Sequence, residues 1–234
     1  MKNNKEQNKN LLNQGHRKRV KTKFLKNYHN NLDLSEDELL ELILFYSLPR
    51  RDVKDLAKKL IRQFGSIARI LNTESDILKN VEGLSENTIT LLYLIKHTAA
   101  HLLRKKITNR PILNTWSTVL DYCYVQLAYK KKEYLKILYL NNKYVLIKDD
   151  IIQEGSINQV AVDAREIVKT ALNFGAVAFI LVHNHPSGDD TPSKADIELT
   201  KSLAYTCKNL NITLYDHIII GQEGITSFRE SGLL

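Results

Sequence analysis

The sequence predicts an α/β protein: a helical N-terminal domain followed by a mixed-sheet domain with flanking helices. Three observations predict it. Apolar residues fall at helical spacing between capping signals through the first half, and strand-like runs alternate with amphipathic helices through the second. The run Ala176 to Val182 is continuously apolar, which marks a central strand covered on both faces.

The elements follow in order. Ser35-Glu-Asp-Glu38 is a capping-box pattern before the apolar run Leu39 to Leu48. Asp52 can cap a second helix carrying Val53, Leu56, Ala57, Leu60 and Ile61, ended by Gly65. Short turns follow around Ser66–Leu71 and after Thr73. Val81-Glu-Gly83-Leu-Ser85-Glu then leads into a long helix from about Glu86 to Leu103, a turn that resembles a helix-hairpin-helix. In that motif main-chain N–H groups meet a phosphate, and here Ser85 stands where a second glycine is usual. Residues 107–115 read as a linker. Trp116 to Leu127 suits a helix, Glu133 to Leu140 and Tyr144 to Gln153 read as paired strands, and Asp163 to Phe174 is amphipathic. Ser193 opens a helix to about Leu210, with strands near Ile212–Ile220 and Ile225–Phe228. The expected division is an arm at 1–30, a helical domain at 31–106, the linker at 107–115 and the sheet domain at 116–234.

Composition narrows the function classes. The 234 residues, 43% hydrophobic and 26% charged, can bury a self-sufficient core. They exclude a collagen-like, disulfide-stapled or mostly disordered chain. No apolar stretch reaches the ~18–20 residues of a membrane span, and the basic start lacks the apolar segment of a signal peptide. Cys123 and Cys207, far apart and without an evident base, predict a reduced, cytoplasmic protein.

Charge is unevenly placed. Residues 1–30 carry nine basic side chains against Glu6, whereas the remaining 204 residues balance 25 basic against 25 acidic groups. The arm is therefore a candidate DNA or RNA contact, with the Gly83 turn as a second one. A solvated tail that aids solubility is the plainer alternative.

The chemistry concentrates after the apolar strand, in Leu-Val-His183-Asn-His185-Pro-Ser-Gly-Asp-Asp-Thr-Pro-Ser193-Lys-Ala-Asp196. In an extended chain residues two apart share a face, so His183 and His185 can aim at one point beyond the strand end. Pro186, Gly188 and Pro192 turn the chain back, and Asp196 falls in the first turn of the next helix. Two imidazoles and a carboxylate are a natural set for Zn²⁺ with a fourth position open to water, the pattern of a catalytic site. His97 and His101 stand four apart on a helix, but Thr98 occupies the place of the glutamate a His-Glu-x-x-His site needs. Asp216-His217 lies in a late strand and reads as structural, with support of the site as the alternative. No phosphate-binding Gly-x-x-x-x-Gly-Lys loop is present, which argues against an ATPase.

The pattern His-x-His-Pro, six residues, Ser-x-x-Asp resembles the JAMM (MPN-plus, JAB) metalloprotease signature. The wider sequence resembles the RadC family through Gly15-His-Arg-Lys-Arg, Glu38-Leu-Leu-Glu-Leu-Ile-Leu-Phe-Tyr-Ser, Asp163-Ala-Arg-Glu-Ile-Val-Lys and Tyr215-Asp-His-Ile-Ile-Ile-Gly. The resemblance implies a helical domain before a zinc-dependent JAMM domain that hydrolyses a peptide or isopeptide amide. It also implies a glutamate from an earlier strand that takes a proton from water, a position Glu133 occupies, with Glu154 and Glu166 as rivals. Ser193, a helix cap by position, would by resemblance help hold the oxyanion. A nucleic-acid-binding module with a structural or vestigial zinc site, and a metal-dependent nuclease, are the alternatives.

Overall fold

In the computed structural model, residues 2–27, 34–49, 51–155 and 164–234 are described, the side chains of 2–14 and of Gln153 excepted. Asp163 of the sequence motifs and residues 28–30 of the basic arm lie outside them. The chain divides into two compact units, Met1–Lys96 and His97–Leu234.

The first unit is helical: α1 (Lys2–Asn27), α2 (Glu36–Ser47), α3 (Lys54–Phe64), α4 (Ile67–Asn72), α5 (Ser75–Lys79) and the start of α6 (Glu86–Ile107). Leu40, Leu44, Leu60, Ile70, Leu78 and Leu92 form its core. The expected signals sit at the helix ends. Ser35 and Glu38 make the capping box of α2, and Gly65, at φ +91°, ends α3. Ser85 caps α6, its Oγ accepting from Thr88 N at 3.3 Å. The basic segment is a helix whose second half packs on α2. Val20 is buried in the core, His16 Nε2 lies 2.8 Å from Glu41 Oε1, and Arg17 donates to Leu48 O at 2.8 Å, at the carboxyl end of α2. His16 and Arg17 of the basic segment thus have partners inside the unit.

The second unit holds a five-stranded sheet in the order β2-β1-β3-β4-β5, from β1 (Tyr134–Leu140), β2 (Leu146–Glu154), β3 (Ala178–Asn184), β4 (Thr213–Ile220) and β5 (Ile225–Ser227). Only β3 and β4 run parallel. Every residue of β3 is buried. On one face Ile180 and Val182 meet Val119, Cys123 and Leu127 of α7 (Trp116–Leu127). On the other, Phe179 and Leu181 meet Ile167 and Ala171 of α8 (Ala164–Asn173) and Leu203 and Cys207 of α9 (Lys194–Lys208). This two-sided burial is what the unbroken apolar run requires. The segment expected as a linker is part of this unit, because Ile107 and Ile112 are buried in the α7-side core and Ile112 N donates to Tyr144 O at 2.9 Å. Among the described residues no helix is long and apolar enough to cross a membrane.

Both cysteines are buried. Burial pushes the Cys123 thiol up to about 12 and raises that of Cys207, so both behave as core side chains.

Candidate metal centre

Three elements bring the site together. His183 is the penultimate residue of β3, on the α9 side of the sheet with Leu181. His185 follows two residues later, where its N–H bonds back to Ile220 O at 3.1 Å. Asp196 occupies the third position of α9, inside a capping box with Ser193: Asp196 N donates to Ser193 Oγ at 3.2 Å, and Ser193 N donates to Asp196 Oδ2 at 2.8 Å. The cap that starts the helix therefore also aims its carboxylate.

His183, His185 and Asp196 offer ligand atoms within 4.8 Å of one another. His183 Nε2 lies 3.2 Å from Asp196 Oδ1, His185 Nε2 lies 3.4 Å from Asp196 Oδ2, and the two Nε2 atoms are 3.0 Å apart. His183 and Asp196 are buried, whereas His185 keeps 18% of its side chain exposed and leaves the cluster open on that side.

Electrostatics ask for a cation here. His185 Nδ1 lies 2.8 Å from Asp189 O, and a carbonyl only accepts, so Nδ1 carries a hydrogen and Nε2 of the neutral ring is bare. His183 Nε2 and the acceptor oxygens of the Asp196 carboxylate then face it. Such a set of acceptors is stable only around a proton or a metal ion. The same balance appears in the titration behaviour. The Asp196 carboxylate raises the His185 imidazole above its usual value despite burial. Burial alone would raise Asp196 itself, but the two imidazoles and the Ser193 hydroxyl against its oxygens hold it well below the usual carboxylate range. The donor set, geometry and open side fit zinc.

Glu133 immediately precedes β1 and is half-buried. In the antiparallel pairing of β1 with β3, Leu135 stands opposite His183, and continuing that register by two residues sets Glu133 opposite His185. Its charge is among those favouring protonated His185. Asn184 fastens this segment, its Oδ1 accepting from Tyr134 N at 2.9 Å and its Nδ2 donating to Lys132 O at 3.1 Å and Lys130 O at 3.3 Å. The rivals have other partners: Glu154, on β2 opposite Tyr134, pairs with Lys132 at 2.7 Å, and Glu166 with Lys169 at 3.3 Å, both well exposed. Ser193 Oγ donates to Asp196 Oδ2 at 2.6 Å, so its proton rests on the carboxylate.

Two further residues stand behind the ligand atoms: Thr200, which the sequence did not single out, and His217, for which support of the site was the alternative to a structural reading. His217, expected as structural, lies with Nε2 2.8 Å from His183 Nδ1. Its Nδ1 is 2.6 Å from the hydroxyl of Thr200, one helical turn past Asp196. Burial pushes the His217 imidazole well below its usual value, and its ring stacks on Phe228 with centroids 4.5 Å apart. His97 and His101 are exposed on α6, and neither belongs to such a cluster among the described residues.

The loop between His185 and Ser193 is held by the turn from β4 to β5. Gln222 N donates to Gly188 O at 2.9 Å, and Thr226 Oγ1 donates to Asp190 Oδ2 at 2.9 Å. The approach is close enough that a Cβ on Gly221 would stand 2.5 Å from Gly188 O, and one on Gly224 2.7 Å from Asp190 Oδ2. At Gly221 the obstacle is main chain, so only glycine fits there, whereas at Gly224 the Asp190 side chain would have to move.

A mixed sheet with helices on both faces, a His-x-His at the end of its central strand and an aspartate on the helix that follows define a JAB-type, JAMM-like domain. Comparison with known families agrees: residues 113–233 match the RadC-like JAB domain. The chain belongs to the RadC family. It is 41% identical over 219 residues to UPF0758 protein SPO0054 of Ruegeria pomeroyi, a match covering 94% of this chain and 97% of that protein.

Proposed function

We propose that this chain is a zinc-dependent hydrolase that cleaves a peptide or isopeptide amide. The observation that carries the reading is the convergence of two imidazole nitrogens and a carboxylate on one partly open point, to which a continued β1–β3 register would add Glu133. His183, His185 and Asp196 hold the metal. Zinc bound there supplies Lewis acidity, which polarises a carbonyl and acidifies water. Glu133 accepts a proton from water at its carboxylate and passes it to the departing amine nitrogen. Asn184 keeps the Glu133 backbone fixed during that transfer. Ser193 Oγ supports Asp196 and, on turning its proton outward, donates to the oxygen that gains charge.

The test pairs metal content with hydrolysis. Purified protein is expected to carry about one zinc per chain, and His183→Ala/His185→Ala to lose it, because the remaining carboxylate cannot hold a four-coordinate ion alone. Peptide and isopeptide panels should be cut by the zinc-loaded chain and not by that variant. Cleavage confined to a parallel DNA panel would replace the reading with a nuclease, and zinc without hydrolysis of either would leave a structural site.

A further inference from the structure

We propose that Thr200 and His217 lock the tautomer of His183, keeping its Nε2 lone pair bare for the metal. The inference rests on the metal reading above and assigns two further positioning residues to it. The logic begins with one proton. Thr200 Oγ1 lies 2.6 Å from Asp196 O, and two oxygens that close need a hydrogen between them. The carbonyl has none, so the hydroxyl proton lies there. Thr200 has no second proton to give, yet its Oγ1 is also 2.6 Å from His217 Nδ1. That hydrogen belongs to the imidazole, so His217 is an Nδ1–H tautomer.

The consequence passes along the ring. Buried and stacked on Phe228, His217 is neutral, and its Nε2 is an acceptor. His183 Nδ1, 2.8 Å away, must donate to it. His183 then carries its hydrogen on Nδ1, and its Nε2 points bare at Asp196 and His185. Metal-bound histidines commonly donate their other N–H to a carboxylate or carbonyl, which fixes the ring and raises its basicity. Here the acceptor is a second imidazole whose direction is dictated by a helix carbonyl.

Both ends of the device sit on one turn of α9. Asp196 supplies a carboxylate to the site and, through its main-chain oxygen, the anchor of the relay at Thr200 four residues on. A threonine within a helix often bonds back to the carbonyl four residues earlier. At this position the bond also consumes the proton that would otherwise reverse the relay. Valine fills the same space without it. The Nδ1–H of His217 then loses its acceptor, or the ring changes tautomer and sets Nε2–H against His183 Nδ1–H. Either outcome weakens His183 as a ligand.

The experiment measures zinc affinity by competition with a chromophoric chelator. Thr200→Val is expected to bind zinc about 10–100-fold more weakly, the usual effect of removing a partner of a ligating histidine. Thr200→Ser, which keeps the hydroxyl, is expected to restore most of the affinity. A role in packing alone would rank the variants the other way, because valine fills the site better than serine. In wild-type protein, ¹⁵N shifts of the His217 ring should report a protonated Nδ1 and a bare Nε2, a readout that needs no variant to fold. Wild-type affinity in Thr200→Val, with affinity lost in His183→Ala, overturns the lock alone; so does a protonated Nε2 on His217. A wild-type chain that binds no zinc overturns the metal reading and the lock together.

Discussion

The side-chain amide of Asn184 accepts from the backbone N–H of Tyr134 at 2.9 Å, fastening the residue between the two site histidines to the residue after Glu133. Its Nδ2 reaches Lys132 O on the other side of that glutamate, so one buried amide brackets Glu133. Asn184→Ala is expected to lower stability by about 1–3 kcal/mol, the cost of leaving such partners unpaired. Urea unfolding measures it. Asn184→Asp offers no rescue, because a second acceptor would face the carbonyls of Lys130 and Lys132. Zinc content should stay at the wild-type level, since the side chain is not a ligand. A loss of zinc as complete as that of the double histidine variant would show that Asn184 holds the ligands instead.

A second network lies on the α7 side of the sheet. Lys136 Nζ lies 2.6 Å from Asp149 Oδ2, with both side chains under 10% exposed, and Tyr122 and Arg104 bond the same carboxylate. Burial alone would raise Asp149, but Lys136 first, then Tyr122 and Arg104, hold it below its usual value. A depressed carboxyl stabilises the fold above its unfolded value, ~3.9, and the contribution fades as pH falls through the lower folded value. Asp149→Asn is expected to cost about 3–5 kcal/mol at neutral pH because it strands a buried ammonium. The gap between wild type and variant should narrow below about pH 4. A gap constant down to pH 2 would mean the carboxylate charge is not the source of the stability.

Much of this was legible in the sequence, and the reasons differ by element. β3 announced itself because burial on both faces leaves no polar position between Ala176 and Val182. The convergence of His183, His185 and Asp196 was legible because strand alternation fixes His183 against His185, and the Ser193 cap fixes where α9 begins. Thr200 was not, and for His217 support of the site was only the alternative to a structural reading. In the pairing of β3 with β4, Phe179 stands opposite Leu214 but Ile180 opposite Asp216, so Tyr215 is an extra residue. That bulge sets His217 opposite Leu181, on the face of His183, and local periodicity does not reveal a bulge. The bracket around Glu133 depended on a β1–β3 register that strand patterns alone leave open. The packing of the basic segment was not legible either: counting charge cannot show that Arg17 meets the end of α2 or that His16 meets buried Glu41.

The glycines of the β4–β5 turn yield a stability prediction that also reports on the site. A methyl group at position 221 would meet the main-chain oxygen of Gly188, which cannot swing away as a side chain end can. Gly221→Ala is therefore expected to cost about 1–3 kcal/mol, the usual range for overpacking. The displaced loop leads directly from His185 to Ser193, so zinc affinity should fall as well. Thermal unfolding with and without added zinc separates the two effects. A variant as stable as wild type would show that the loop does not rest on this turn.

The last prediction turns on which carboxylate handles the proton. Glu133→Gln keeps the shape of the side chain and the backbone pairing, but an amide cannot accept a proton from water. General acid–base assistance is commonly worth ~10²–10⁴-fold, so hydrolysis of any accepted peptide or isopeptide should fall at least ~100-fold. Zinc content and unfolding temperature should hold, because Glu133 is not among the three converging ligands. Glu154→Gln and Glu166→Gln serve as matched controls, since each removes an exposed, solvent-screened ion pair that contributes little to stability. Both should hydrolyse at the wild-type rate. If Glu154→Gln abolished turnover and Glu133→Gln did not, the continued β1–β3 register would have pointed at the wrong residue. The neighbouring pairing of Tyr134 with Glu154 makes that the sharpest alternative. Measuring all three variants against one substrate at one zinc loading decides between the two strands, because only the carboxylate that exchanges protons with water is sensitive to an isosteric loss of its charge.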